Sequence, residues 1–131
     1  MTRGLLALAI LGGAMMLAAA PAEAQGRDGW RTVGTKSVRG RDSDTIQLPG
    51  YARYRQIRLC AFNAPLHMVD FDVRFENGRG QDVDVRSRIN PGTCTRNIDL
   101  KGERRDIQSI RLRYEPVLRG VGRPLVRVQA R

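Results

Sequence analysis

The chain is poor in the residues that most often carry chemistry. Its 131 residues hold one histidine, two cysteines and one tryptophan, and aromatics make up 5% of it. So few ligands exclude zinc fingers and histidine-rich metal sites. With one imidazole, His67, every Ser-His-Asp or Cys-His mechanism has to run through that residue. No Gly-x-Ser-x-Gly elbow is present, and no glycine-rich phosphate loop follows a strand. Few aromatics leave little for bases to stack on, which argues against single-stranded nucleic acid as a ligand. Acid is also scarce, with 13 Asp and Glu against 23 Lys and Arg, a formal +10. That balance excludes an acidic tail or an acidic calcium-buffer composition. Only two of the basic residues, Lys36 and Lys101, are lysine. Helical periodicity is missing as well: no window of the chain after residue 24 carries a convincing 3.6-residue repeat of apolar positions.

The one long apolar run is at the start. Met1-Thr2-Arg3 is a short positive opening, residues 5–20 are apolar or small, and Pro21-Ala22-Glu23-Ala24 ends in a small-x-small pattern. This is the form of a secretory signal peptide, cleaved after residue 24. The run is short for a membrane span and is broken by Gly12 and Gly13. The expected mature protein is residues 25–131, one domain without a transmembrane segment, placed in the periplasm or secreted. Both cysteines, Cys60 and Cys94, fall in that exported part. In an oxidising compartment their default state is a Cys60–Cys94 disulfide.

The chain beyond residue 24 reads as strands. In Val69-Asp70-Phe71-Asp72-Val73-Arg74-Phe75 apolar and charged residues alternate, the mark of a strand with one face in a core and one in water. Asn77-Gly78 supplies the positive φ of a tight hairpin, and Asp82-Val83-Asp84-Val85-Arg86 resumes the alternation. Weaker strands are expected over 30–38, 45–48, 54–62, 95–100, 110–114 and 125–130, with turns at Pro49-Gly50 and Pro91-Gly92 and a helical turn over 102–106. About eight short strands with regular turns indicate an all-β fold, a single antiparallel β-sandwich.

Charge is uneven along the chain. Residues 25–65 carry net +5, residues 66–100 net −1 and residues 101–131 net +6. Terminal strands sharing one sheet would make one face strongly basic and the other mixed. Such a face attracts polyanions. The candidate anion-binding residues are Arg58, Arg111, Arg113 and Arg127, and the expected partner is an anionic envelope component or an acidic protein, not nucleic acid. Three Asp-x-Asp pairs (42/44, 70/72 and 82/84) each place two carboxylates on one face of an extended chain. Asp42-Ser43-Asp44 is the nearest approach to a cation loop, but it lacks EF-hand spacing. For the other two pairs, cross-strand pairing with Arg74 and Arg86 accounts for the aspartates. No metal, cofactor or catalytic residue is assigned.

Several stretches together resemble a family of small secreted proteobacterial proteins of unknown function, expected to be β-rich. The residues are Trp30-x-x-Val33-Gly34, Asp42-x-Asp44-x-Ile46, Ile57-Arg58-Leu59 and Val73-x-Phe75-x-Asn77-Gly78. The longest is Ile98-Asp99-Leu100-x-Gly102-x-x-Arg105-x-Ile107-x-x-Ile110-x-Leu112-x-Tyr114. The cysteine pair is not part of that pattern. The resemblance implies a periplasmic or secreted β protein and supplies no activity. Within the long stretch, Arg105 is expected to tie its loop to Asp42 or Asp44 by an ion pair. The leading functional reading is a non-catalytic exported binding protein. Behind it stand a structural or stress-related accessory protein without a specific ligand, and a small hydrolase using aspartates or His67.

Overall fold

A computed structural model describes residues 28–38, 42–50, 52–117 and 122–131. The signal-peptide reading of residues 1–24 lies outside them. The chain divides into Met1–Trp30 and Arg31–Arg131, and the strands among the described residues lie in the second unit. They are β1 (Arg31–Ser37), β2 (Ser43–Gln47), β3 (Arg53–Tyr54), β4 (Gln56–Phe62), β5 (Leu66–Phe75), β6 (Gly80–Ile89), β7 (Thr93–Cys94), β8 (Ile98–Asp99), β9 (Arg105–Tyr114) and β10 (Leu125–Ala130). Among the described residues the fold is an all-β sandwich of ten strands, two more than the sequence spacing suggests.

Two antiparallel sheets make it up. Sheet I runs β1-β10-β4-β7, with β8 also on β4; sheet II runs β2-β9-β5-β6, with β3 on β9. The first and last of the described strands, β1 and β10, therefore pair in sheet I. Alternation sets which side chains go inward. Ile57, Leu59 and Ala61 from β4 and Val126, Val128 and Ala130 from β10 meet Phe71, Val73, Phe75, Ile107, Ile110 and Leu112 from sheet II in one buried cluster. Each fully buried side chain of this size contributes about 1.5–3 kcal/mol relative to exposure.

Bulges interrupt the simple alternation at several places, at Thr32/Gly34 in β1, at Met68/Asp70 in β5 and at Arg74/Phe75 against β9. The β5 register shifts between Met68 and Asp70, so Val69 is the extra residue against β9. Met68 is fully buried while Val69 is only half-buried, reversing the inside-outside assignment for the start of the strand. A residue inserted into one strand of a pair does this by shifting the pleat one step. Opposite, β6 has its own irregularity, and Arg86 takes a φ of 48° there.

Two expected elements differ. Residues 95–100 do not form one strand; β7 and β8 pair separately with β4, at Cys60↔Cys94 and Ile57↔Ile98. Residues 102–106 form no helical turn, because Gly102 sits at φ 88° and the chain enters β9 at Arg105. A left-handed glycine ends a turn and redirects the chain instead of propagating a helix.

Candidate functional site

The outward residues of β4 and β10 form the surface of interest. The two strands pair with Arg127 opposite Cys60 and Gln129 opposite Arg58. One step further, Arg131 and Gln56 exchange backbone hydrogen bonds of 2.8–3.0 Å between the Arg131 and Arg55–Gln56 peptide groups. Arg127, Arg58 and Arg131 thus occupy three successive outward rows, crossing from β10 to β4 and back. Outward residues on one strand are about 6.6–6.8 Å apart, so the three cations form a column about 13 Å long.

Each guanidinium in the column is oriented by a neighbour on the same face. Arg127 lies over the Phe62 ring, 4.5 Å from its centroid. Arg58 Nε donates to Gln129 Oε1 at 2.8 Å. Arg131 Nε donates to Gln56 Oε1 at 2.8 Å, and Gln56 Nε2 donates in turn to Asp99 Oδ1 at 2.7 Å. A planar cation held by one edge or one face loses less freedom on meeting an anion than a swinging side chain does. The strands of sheet I carry four basic residues (Arg31, Lys36, Arg58 and Arg127) and one acidic residue, Asp99.

The disulfide lies in the same face. Cys60 and Cys94 are bonded, and neither thiol is free. The bond fastens the two-residue β7 to the sheet edge, helped by Thr95 N–H donating to Leu59 O at 2.8 Å and Leu59 N–H donating to Thr95 Oγ1 at 3.1 Å.

Arg111 and Arg113, the other two candidates, are elsewhere. They lie outward on β9 in sheet II, where Arg113 faces Asp70 and Arg111 faces Asp72 across the β5–β9 pair. Arg113 grips Asp70 with both ends, Nε to Oδ1 at 2.9 Å and Nη2 to Oδ2 at 2.6 Å. That hydrogen-bonded guanidinium holds the Asp70 carboxyl below the usual carboxylate range. The four arginines named from the sequence therefore split, Arg58 and Arg127 on the outer face of sheet I and Arg111 and Arg113 on that of sheet II.

The Asp-x-Asp pairs on β5 and β6 do not face arginines across that hairpin. Asp70 is opposite Asp84, and Asp72 is opposite Asp82. Cross-strand charge pairing is present, Arg113 with Asp70, but the arginines come from β9 and not from Arg74 or Arg86, and Arg86 reaches only to 4.0 Å from Asp84 on its own strand. The Asp82 carboxyl hydrogen-bonded beside it, with partial burial, pushes Asp72 above its ordinary range.

The expected tie between Arg105 and Asp42 or Asp44 is also corrected. Asp44 is opposite Leu112, toward the far end of β9 from Arg105, and its Oδ2 accepts the Tyr114 hydroxyl at 2.6 Å. The Asp42 carbonyl accepts Tyr114 N–H at 3.0 Å. Arg105 folds back over its own turn, with Nε donating to Lys101 O at 2.9 Å and the guanidinium 5.7 Å from the Phe75 ring centroid. Gly102 beneath it is favoured by its φ of 88°, and a Cβ there would also push that guanidinium aside. The Gly102-x-x-Arg105 spacing is thus the signature of a closed turn.

His67 lies outward on β5 with its Nε2 3.8 Å from Glu115 Oε2, both side chains substantially exposed. Among the described residues, no group of three or more His, Cys, Asp or Glu is placed to hold a metal ion. Phe62, Gln56, Gln129 and Arg131 belong to the arginine column and are not singled out by sequence pattern. They are outward positions of alternating strands, a visible signal, but only the β4–β10 register puts them in one line.

A family model described as a domain of unknown function, DUF2541, matches residues 5–130. No curated protein matches the chain. One similar solved structure, titled as the structural and functional characterization of Pseudomonas aeruginosa AlgX, has a TM-score of 0.49 and 11% identity, covering 77% of this chain and 26% of that one. The chain spans about a quarter of the length of that structure. Since the family match takes in nearly all of the sequence, the chain belongs to the DUF2541 family.

Proposed function

We propose that this DUF2541 chain is an exported, non-catalytic β-sandwich that binds an anionic partner through the outer face of sheet I. The observation that carries the reading is the contrast between the two faces. On sheet II, Arg113 is gripped by Asp70 and Arg111 faces Asp72. On sheet I, Arg127, Arg58 and Arg131 succeed one another in a column whose one strand-borne acid, Asp99, is bonded to Gln56. The contrast is one of charge balance: the strands of sheet I carry four basic residues and one acidic, those of sheet II seven basic and six acidic, and the face more nearly of one sign attracts anions from a distance. Export is supported by the residue 1–24 pattern and by the Cys60–Cys94 disulfide, which persists in an oxidising compartment. An envelope component with several negative groups, or an acidic protein, fits such a face.

Retention of the purified protein on sulfated-dextran resin tests the reading. The wild type is expected to elute at moderate salt, since surface charge is screened over about 8–10 Å near physiological ionic strength. An Arg58→Gln/Arg127→Gln variant elutes at clearly lower salt, and Arg111→Gln/Arg113→Gln stays close to the wild type. Equal loss in both variants, or a larger loss in the second, would refute a sheet I binding face.

A further inference from the structure

The Cys60–Cys94 bond lies outside the core. The two residues face each other directly across the β4–β7 pair. Cys60 belongs to the outward row of β4, because Ile57, Leu59 and Ala61 are the residues of that strand that enter the core cluster. It is nevertheless only 1% exposed, while Cys94 is exposed. The bond is therefore reached from the Cys94 side. β7 itself has two residues, and its flanks are tied to β4 by Gly92 N–H donating to Ala61 O at 2.7 Å and Thr95 N–H donating to Leu59 O at 2.8 Å. The pairings of β4 with β10 and β8 do not involve it.

The surroundings of the bond are cationic. Arg127 is opposite Cys60 on the other side of β4, and its guanidinium lies 4.5 Å from the ring centroid of Phe62, the next outward residue of β4. Arg96, two residues beyond Cys94, donates Nη2 to the Asp84 carbonyl at 2.8 Å, a neutral acceptor. The Asp84 carboxylate is 4.0 Å from Arg86. Asp99, the acid on the strands of sheet I, is opposite Gln56, four residues from Cys60 and so about 13 Å along β4. Disulfides that are exposed are the labile ones, and a thiolate leaves faster the lower its thiol pKa. A neighbouring arginine lowers that pKa.

We propose that Cys60–Cys94 is an exchange-active disulfide that takes anionic low-molecular-weight thiols at Cys94, with Cys60 as the leaving thiolate. The incoming thiolate attacks Cys94 Sγ and a bond forms between those two sulfurs. The Cys60–Cys94 bond breaks, and its electron pair stays on Cys60 Sγ, on the arginine-bearing face. The products are a mixed disulfide on Cys94 and a thiolate on Cys60. Return of Cys60 to Cys94 expels the thiol and makes the site a reversible carrier. Attack by a second thiolate on the thiol-derived sulfur gives the thiol's own disulfide and two reduced cysteines, which frees β7 from its covalent tie. This chemistry goes beyond anion binding at sheet I and needs no bound partner.

Exchange kinetics with an anionic, a neutral and a cationic small thiol (mercaptopropionate, mercaptoethanol and cysteamine) at equal thiolate concentration test this. The folded protein is expected to react without denaturant. The anionic-to-cationic rate ratio is expected to be about tenfold higher at about 0.01 M salt than at about 1 M, where screening shortens to about 3 Å. Arg127→Gln lowers the low-salt ratio by about two- to threefold. Arg127→Lys, which keeps the charge, retains it, and Arg111→Gln, which removes one charge from sheet II, stays close to the wild type. Rapid alkylation followed by peptide mass spectrometry places the thiol on Cys94 and the alkyl group on Cys60 at the earliest times. No exchange until urea unfolds the protein, a mixed disulfide formed mainly on Cys60, the same ratio at both salt levels, or an equal drop in Arg111→Gln would each overturn the proposal. Retention on sulfated dextran alongside any of these results leaves the anion-binding face standing.

Discussion

Gln81 is the one buried polar residue among those described, 8% exposed on β6. Its side-chain Nε2 donates to Asp99 O at 3.0 Å and its Oε1 accepts Lys101 N–H at 2.8 Å. The amide therefore stitches sheet II to the β8 end of sheet I. Replacing Gln81 with Ala removes both bonds from a part-buried seam, and a loss of about 1–3 kcal/mol is expected in urea unfolding. The carboxylates on sheet II set the pH response at the same scale. Asp70 has its pKa depressed by Arg113, so its contribution is present above the ordinary carboxylate range and disappears as pH falls through the depressed value. Asp72 has a raised pKa because of Asp82, so its contribution is present in acid and is lost as pH climbs through the raised value. Asp82→Asn is expected to stabilise the fold at neutral pH by a few tenths of a kcal/mol, with no gain at low pH. Arg113→Gln does the reverse, destabilising at neutral pH and converging on the wild type in acid. Parallel unfolding curves at pH 3 and pH 7 distinguish the two.

At the scale of the element, the weakest strand is held by the strongest link. β7 has two residues, yet the Cys60–Cys94 bond closes a sequence separation of 34 around it. On the chain-entropy argument a loop of that length contributes about 3–4 kcal/mol. A Cys60→Ala/Cys94→Ala protein is expected to lose stability of that order and, in hydrogen exchange, to lose protection first at Thr93 and Thr95. Uniform loss of protection across both sheets would mean that the bond acts on the whole fold instead of on its edge. The β5–β6 hairpin shows how far periodicity reads. Alternation placed Phe71, Val73, Phe75 and Val83 in the core, and all four are buried there. It failed at Val69, because a bulge is a relation between strands and leaves no mark in the spacing of one. It failed likewise over residues 95–100, where Ile98 and Leu100 go inward as their alternation requires but the strand breaks to pair twice with β4.

For the whole molecule, the uneven charge along the chain becomes an uneven charge in space only through strand order. The basic terminal segments meet because β1 and β10 pair. β9, just as basic in sequence, crosses to sheet II, whose strands carry seven basic and six acidic residues. The consequence is testable in electrophoretic and binding terms: neutralising two arginines on sheet I changes retention on an anionic matrix more than neutralising two on sheet II, although net charge falls equally. The features that the sequence determined by itself were local and additive: strand-forming alternation, glycine turns, the sign of the total charge and a cysteine pair. Those come from side-chain period and composition, which each segment carries alone. Only the tertiary structure decided pairing: that Asp72 opposes Asp82, that Arg113 serves Asp70, that Arg105 closes its own turn, and that Arg127, Arg58 and Arg131 line up. Register is fixed by burying two faces against each other at once, and that condition involves residues up to a hundred positions apart.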